Sequence, residues 1–318
     1  MFRDPPFRFF PPSLKILALI MVMILTFLVV LAIGVAFSIP FAGLSMLDKV
    51  AAVTSYSDPK TLFALKYFQI VNQIGVFIAP AVLFVILTDD HFSGYLGLNK
   101  GIKPFGIIFG FIVLVISLPL INWLVFINNN LHLPDFLSGV ERWMRESETS
   151  AQRLTDAFLA TKSFGGFIVN ITMIAGLAAV GEEMIFRGIL VKLFREWTHS
   201  IHLAVIIPAL LFSALHLQFY GFFGRMALGI MLGYLFVWTG SLWVPIVVHF
   251  LNNAMAVTIS FLTNRGLIDV DLETFGSSGN GFVIIFSFVL MLLFMAVIYY
   301  HEQGRCKKKT PVLEKPGS

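Results

Sequence analysis

The chain has 318 residues, 58% of them hydrophobic and only 13% charged, with a formal net charge of +4. A soluble domain of this size carries roughly a quarter charged residues, so the composition excludes one and puts the chain among membrane proteins. The single cysteine, Cys306, leaves no disulfide framework.

Apolar runs recur along the whole length, at 14–37, 62–88, 105–128, 164–190, 203–217, 222–240, 242–262 and 281–300. Roughly 20 apolar residues suffice to cross a ~30 Å hydrocarbon core as a helix. An open sheet leaves its backbone unsatisfied in lipid, and the runs lack the alternation of barrel strands. The expected fold is therefore all-α, a polytopic membrane helix bundle with about eight transmembrane helices. The run Leu14–Phe37 is too long for a signal-peptide core and no clean cleavage site follows it, so it reads as a retained span.

The polar stretches between runs are short and no repeat is visible, so residues 1–318 read as a single integral membrane domain. The longest polar piece, 129–163, holds Ser138-x-x-Glu141, a capping-box pattern, followed by apolar positions at Val140, Trp143, Met144, Ala151, Leu154 and Phe158. It reads as an amphipathic helix on the membrane interface, an anchor in the simpler view and a substrate gate in the other. Gly229 and Gly233 form a G-x-x-x-G pair that allows close helix approach.

With an even number of spans both termini share a side, which then holds Arg3, Arg8, Lys15, Lys100, Lys103, Lys192, Arg195, Arg305, Lys307, Lys308, Lys309 and Lys315. The other side holds Lys49, Lys60, Arg142, Arg145, Arg153, Lys162, Arg225 and Arg265 among acids. By the positive-inside rule both termini are expected to be cytoplasmic. Residues 301–318 form a basic cytoplasmic tail, a topology signal and anionic-lipid contact rather than a nucleic-acid site.

Ionisable residues inside spans are functional candidates by default. The fourth run carries Glu182, Glu183 and Arg187. Glu183 and Arg187 are i,i+4 neighbours with the acid on the N-terminal side, the favoured order for an ion pair. Glu182 points about 100° away and has no partner on its own helix; an unpaired buried carboxylate suits a general base. The fifth run ends in Phe212-Ser213-Ala214-Leu215-His216, and the seventh holds His249 with Asn253 one turn on and Asn252 beside it. Together they offer a base, two imidazoles and an amide, the set that hydrolysis of a peptide bond by activated water requires. No H-E-x-x-H is present, and no aspartate lies mid-span. Gly276-Ser277-Ser278-Gly279 looks like a serine-nucleophile motif but sits in a polar loop. By donor type alone, Glu182, His216 and His249 also make a zinc set. By residue count His249 falls nearer the cytoplasmic end of its span than His216, so convergence requires offset or broken helices.

The boxes Glu182-Glu183-x-x-x-Arg187, Phe212-x-x-x-His216 and His249-x-x-x-Asn253, in this order on successive spans, resemble the signature of the CPBP family of CAAX-protease and bacteriocin-processing membrane proteins, also called Abi. The resemblance covers about 165–260, the expected catalytic core. It implies an intramembrane endopeptidase in which Glu182 and His216 activate water, His249 and Asn253 form the oxyanion site, and Glu183 and Arg187 support them. It further implies a glutamate-dependent mechanism with no metal cofactor, zinc being the alternative. Asn252 competes with Asn253 for its role. The expected partners are a peptide or membrane-protein substrate and the lipid bilayer, the expected location the inner membrane of a bacterium. The alternative is a non-catalytic membrane protein, an immunity factor or scaffold, that keeps the boxes as structure.

Overall fold

The computed structural model describes residues 4–43, 56, 58–271 and 274–309. Among the described residues every regular element is helical, and the fold is an all-α membrane bundle. The spans are α1 (Pro12–Ala42), α2 (Pro59–Thr88), α3 (Pro104–Asn129), α5 (Phe164–Thr198), α6 (Ile201–Leu215), α7 (Phe222–Thr239), α8 (Trp243–Asn264) and α9 (Gly281–Lys309), with α4 (Ser138–Leu159) between the third and the next. Seven of these are long and apolar enough to cross a membrane; α6, with 15 residues, is shorter.

Local chemistry sets the boundaries. Proline opens α1, α2 and α3, where a missing N–H is free of cost and φ is already helical. Asp58 caps α2 by accepting from the Thr61 amide at 3.1 Å. Gly240, at φ 63° and ψ 5°, ends α7 in the left-handed conformation that glycine adopts without strain.

Two features of the helices place the site. At 1.5 Å per residue α6 is about 22 Å long, shorter than the ~30 Å core, and its C-terminal end carries directly into His216. In α5, 35 residues long, two wider π-helical segments, Ile171–Leu177 and Met184–Leu190, flank the α-helical Ala178–Glu183. Such widened turns recur at functional sites.

Two apolar clusters hold the bundle. One gathers α1, α2, α5 and α6 around Phe84, Phe186, Leu193 and Phe212; the other joins α3, α7, α8 and α9 around Leu114, Leu232, Val248 and Ile298. The glycine pair lies between α7 and α6: a methyl at Gly229 would stand 3.0 Å from the Ala209 Cβ, and one at Gly233 2.7 Å from a Val205 methyl. Basic residues collect at one end, where Arg8 pairs with Asp90 at 2.9 Å, Lys15 with Glu196 at 3.7 Å and Lys103 with Glu302 at 2.6 Å. Arg3, Lys49 and Lys315 lie outside the described residues.

The capping box is a correction. A 3₁₀ turn, Asp135–Leu137, runs directly into α4, so Ser138 is already helical (φ −55°, ψ −32°) and Leu137 is the cap position, without a side-chain bond. Glu141 reaches past Ser138 instead, accepting from the Leu133 amide at 3.0 Å and from Arg145 at 2.7 Å. The Arg145 guanidinium, with the Leu133 amide and His132, holds the Glu141 carboxyl at about 2, well below its usual 4.5.

Candidate active site

Glu182, Glu183 and Arg187 all lie buried on α5. Glu183, fully buried, accepts through Oε1 from Arg187 Nη1 at 2.7 Å and from His249 Nδ1 at 2.8 Å. The second guanidinium nitrogen, Nη2, donates to the Gly229 carbonyl at 3.1 Å. The ion pair read from the i,i+4 spacing is thus one arm of a network tying α5 to α7 and α8. Charges this deep persist only when paired and hydrogen-bonded.

Glu182 has a different surrounding. Its Oε2 stands 3.8 Å from His249 Nε2, an ion pair by distance but too long for a hydrogen bond. With His216, His249, Asn252 and Asn253 it lines a cavity of about 500 Å³. Because a carbonyl only accepts, His216 Nδ1 must be the donor in its 2.7 Å bond to Phe212 O, which leaves Nε2 as the free ring nitrogen. The next residue, Leu217, has φ 54°, a conformation costly for a branched side chain, and turns the chain sharply after His216.

Phe212 organises the centre. Its ring meets His216 edge-on at 4.8 Å, His249 at 6.0 Å and Phe186 at 5.2 Å, while the Arg187 guanidinium lies 5.0 Å from its centroid. Such edge-to-face and cation–π contacts fix ring orientation.

The start of α8 is offset along α5. A methyl at Gly188 would stand 3.5 Å from Leu242 Cδ2, so the start of α8 packs at the level of Gly188 and the end of α5 projects beyond it. Counting inward from that level, Glu182 and His249 reach similar depth. Gly181 lets α2 come close beside Glu182, since a methyl there would lie 2.8 Å from Phe77 Cβ.

Asn253 donates to the Ile174 carbonyl at 3.0 Å and accepts from Asn252 Nδ2 at 3.0 Å. Each amide keeps one further N–H, and both side chains reach the cavity. Among the described residues no three His, Cys, Asp or Glu side chains are grouped to hold a metal ion.

Several lining residues escaped the sequence reading. Gln69, Asn72 and Gln73 of α2 face the cavity, and their i, i+3, i+4 spacing inside an apolar run was the available signal. Arg225, counted above among outer-loop charges, is in the cavity wall and donates to the Gln218 side chain at 2.7 Å and to its carbonyl. Along α4, Ala151, Leu154, Thr155 and Phe158 line the same cavity, so that helix covers the site. Glu148 fastens it by accepting from the Tyr220 amide at 3.0 Å, and Lys66 donates to the Phe158 carbonyl at 3.0 Å at its other end.

Residues 164–255 match the family model of the Rce1-like type II CAAX prenyl endopeptidases. This segment is CAAX-protease-like, and the resemblance to the CPBP family is shown over it. The chain is also 35% identical over 92 residues to the uncharacterized protein YpbD of Bacillus subtilis (strain 168), a match covering 28% of this chain and 44% of that protein. No solved structure matches the chain. The CAAX-protease-like segment, α5 to α8, supplies Glu182, Glu183, Arg187, His216, His249 and Asn253, while α2 and α4, outside it, complete the cavity.

Proposed function

We propose that this protein is an intramembrane endopeptidase that hydrolyses a peptide bond with water activated by Glu182 and His216. The observation that carries the reading is the unequal surrounding of two adjacent carboxylates. Glu183 is consumed by Arg187 and His249, whereas Glu182 lines a cavity shared with two histidines and two asparagines.

In this mechanism Glu182 takes a proton from water as the oxygen attacks the scissile carbonyl. His249 donates Nδ1–H to Glu183; when protonated it also presents Nε2–H toward Glu182 and the cavity, and its charge with that of Arg187 balances the two carboxylates. That N–H and the spare amide N–H of Asn253 or Asn252 serve the tetrahedral oxyanion. The proton taken by Glu182 passes to the leaving amine, directly or through His216 Nε2. The donors are held before substrate arrives, so no reorganisation is required at the moment of reaction.

The substrate is a peptide or membrane protein entering between α2, α4 and α8, and the reaction uses no bound metal. The chain resides in the cytoplasmic membrane with both termini inside. Glu182→Gln preserves size and hydrogen bonding but removes the base, and turnover should fall roughly 10²–10⁴-fold. Peptidomics of cells carrying either form, with the protein quantified in the membrane, checks this. Equal product profiles at equal protein levels would remove Glu182 from the reaction and favour a non-catalytic membrane protein. Exhaustive chelation of the purified enzyme should leave hydrolysis intact; loss reversed by zinc would replace this mechanism with a metal-dependent one.

A further inference from the structure

A second concave region, with Leu228 between it and the active-site cavity, lies on the lipid-facing side of α7 and α9. Its apolar part, about 550 Å³, runs between α3, α7 and α9 among Leu120, Leu124, Met231 and Met291. Its polar part, about 680 Å³, opens at the ends of α5 and α9 against Arg195, His202 and Gln303. Tyr234, Trp238, Leu292 and Met295 line both, so the two are one continuous groove.

The dimensions are those of one membrane leaflet. From Trp238 to Ala227 the apolar part follows α7 for about 16 Å at 1.5 Å per residue, close to half of a ~30 Å hydrocarbon core. The polar part lies at the basic end of the bundle, and exposed Tyr299 and Tyr300 flank it, as aromatic side chains do at headgroup level.

The charges are one-sided. Among the described residues no carboxylate lines either part. Arg195, exposed in the last turns of α5, has no carboxylate partner among the described residues, while its neighbour Glu196 pairs with Lys15. His202 Nδ1 bonds the Tyr234 hydroxyl at 2.7 Å, which leaves Nε2 directed elsewhere. A guanidinium and an imidazole in the wall of one groove, with no carboxylate among its described lining residues to receive an ammonium group, suit a phosphate whose lipid carries net negative charge.

We propose that this groove is a binding site for an anionic phospholipid of the leaflet at the basic end, its phosphate on Arg195 and His202 and an acyl chain along α7 toward Leu120. Leu228 lines both this groove and the active-site cavity, so the bound chain presses on one wall of the catalytic chamber.

The test uses the full chain in phosphatidylcholine vesicles containing either phosphatidylglycerol or phosphatidylcholine with brominated acyl chains. Trp238 emission is taken as the difference between the wild type and Trp238→Phe. Brominated phosphatidylglycerol should quench Trp238 more than brominated phosphatidylcholine does. Arg195→Gln should cut that preference about fivefold, and Arg195→Lys should restore most of it. Leu292→Phe, at an exposed position in the apolar part, should weaken quenching by both lipids. Equal quenching of the wild type by the two lipids, or an unchanged preference in Arg195→Gln, overturns the proposal. So does relief of phosphatidylglycerol quenching by inorganic phosphate at constant ionic strength, which would make this a free-anion site.

Discussion

At the residue scale, position within the buried network separates two carboxylates that adjoin in sequence. Glu183 accepts from Arg187 and His249 through one oxygen, so its removal strands two potential cations in a low-dielectric site. Breaking such a pair typically costs about 3–5 kcal/mol. Glu183→Ala and Arg187→Ala should therefore lower the melting temperature and the yield of folded protein, with Glu183→Ala the more severe. Glu182, 3.8 Å from its nearest partner, forfeits no hydrogen bond of this network. Glu182→Ala should abolish turnover and leave the melting temperature close to that of the wild type. Thermal unfolding of the three variants in one detergent, beside their activities, checks both statements. A stable but inactive Glu183→Ala together with an active Glu182→Ala would exchange the roles.

At the element scale, α4 is an amphipathic helix whose apolar face covers the cavity, held at one end by Lys66 and mid-helix by Glu148. Its first turns are tied to the preceding loop by Glu141, an exposed link with a distinct acid dependence. Because Arg145 and the Leu133 amide hold the Glu141 carboxyl at about 2, below its usual 4.5, the native state favours its ionised form. The stabilisation is present above pH 4.5 and is lost as the pH falls toward 2. Amide exchange at Leu133 should accelerate, relative to neighbouring loop amides, across that interval. Glu141→Gln should show fast exchange at every pH; a protected Leu133 in that variant would remove the carboxylate from the account.

At the scale of the whole molecule, the ion pairs of Arg8, Lys15 and Lys103 gather the N-terminal segment, the loop after α2 and the ends of α5 and α9 at one end. By the positive-inside rule such an excess of cations marks the cytoplasmic end, the orientation proposed above. Cys306, the single cysteine, reports on this directly. A membrane-impermeant thiol reagent should modify it in inside-out vesicles and leave it unmodified in intact cells. Labelling in intact cells would invert the topology, and the anionic-lipid groove would then face the outer leaflet.

The sequence by itself determined the spans and the local half of the site. A ~30 Å apolar solvent makes a run of some 20 hydrophobic residues a sufficient instruction for a helix. A spacing of four residues likewise suffices to pair Glu183 with Arg187. Tertiary structure decided which groups meet across helices. The bond from His249 to Glu183 joins positions 66 apart, and it forms because α5 is offset against α8 at Gly188 and Leu242. His216 reaches the same cavity from the C-terminal end of α6, where the chain turns sharply at Leu217. The polar face of α2, the guanidinium of Arg225 and the cover of α4 were likewise fixed only by packing. A single helix shows which of its faces is polar, but not the depth or the neighbour against which that face is buried.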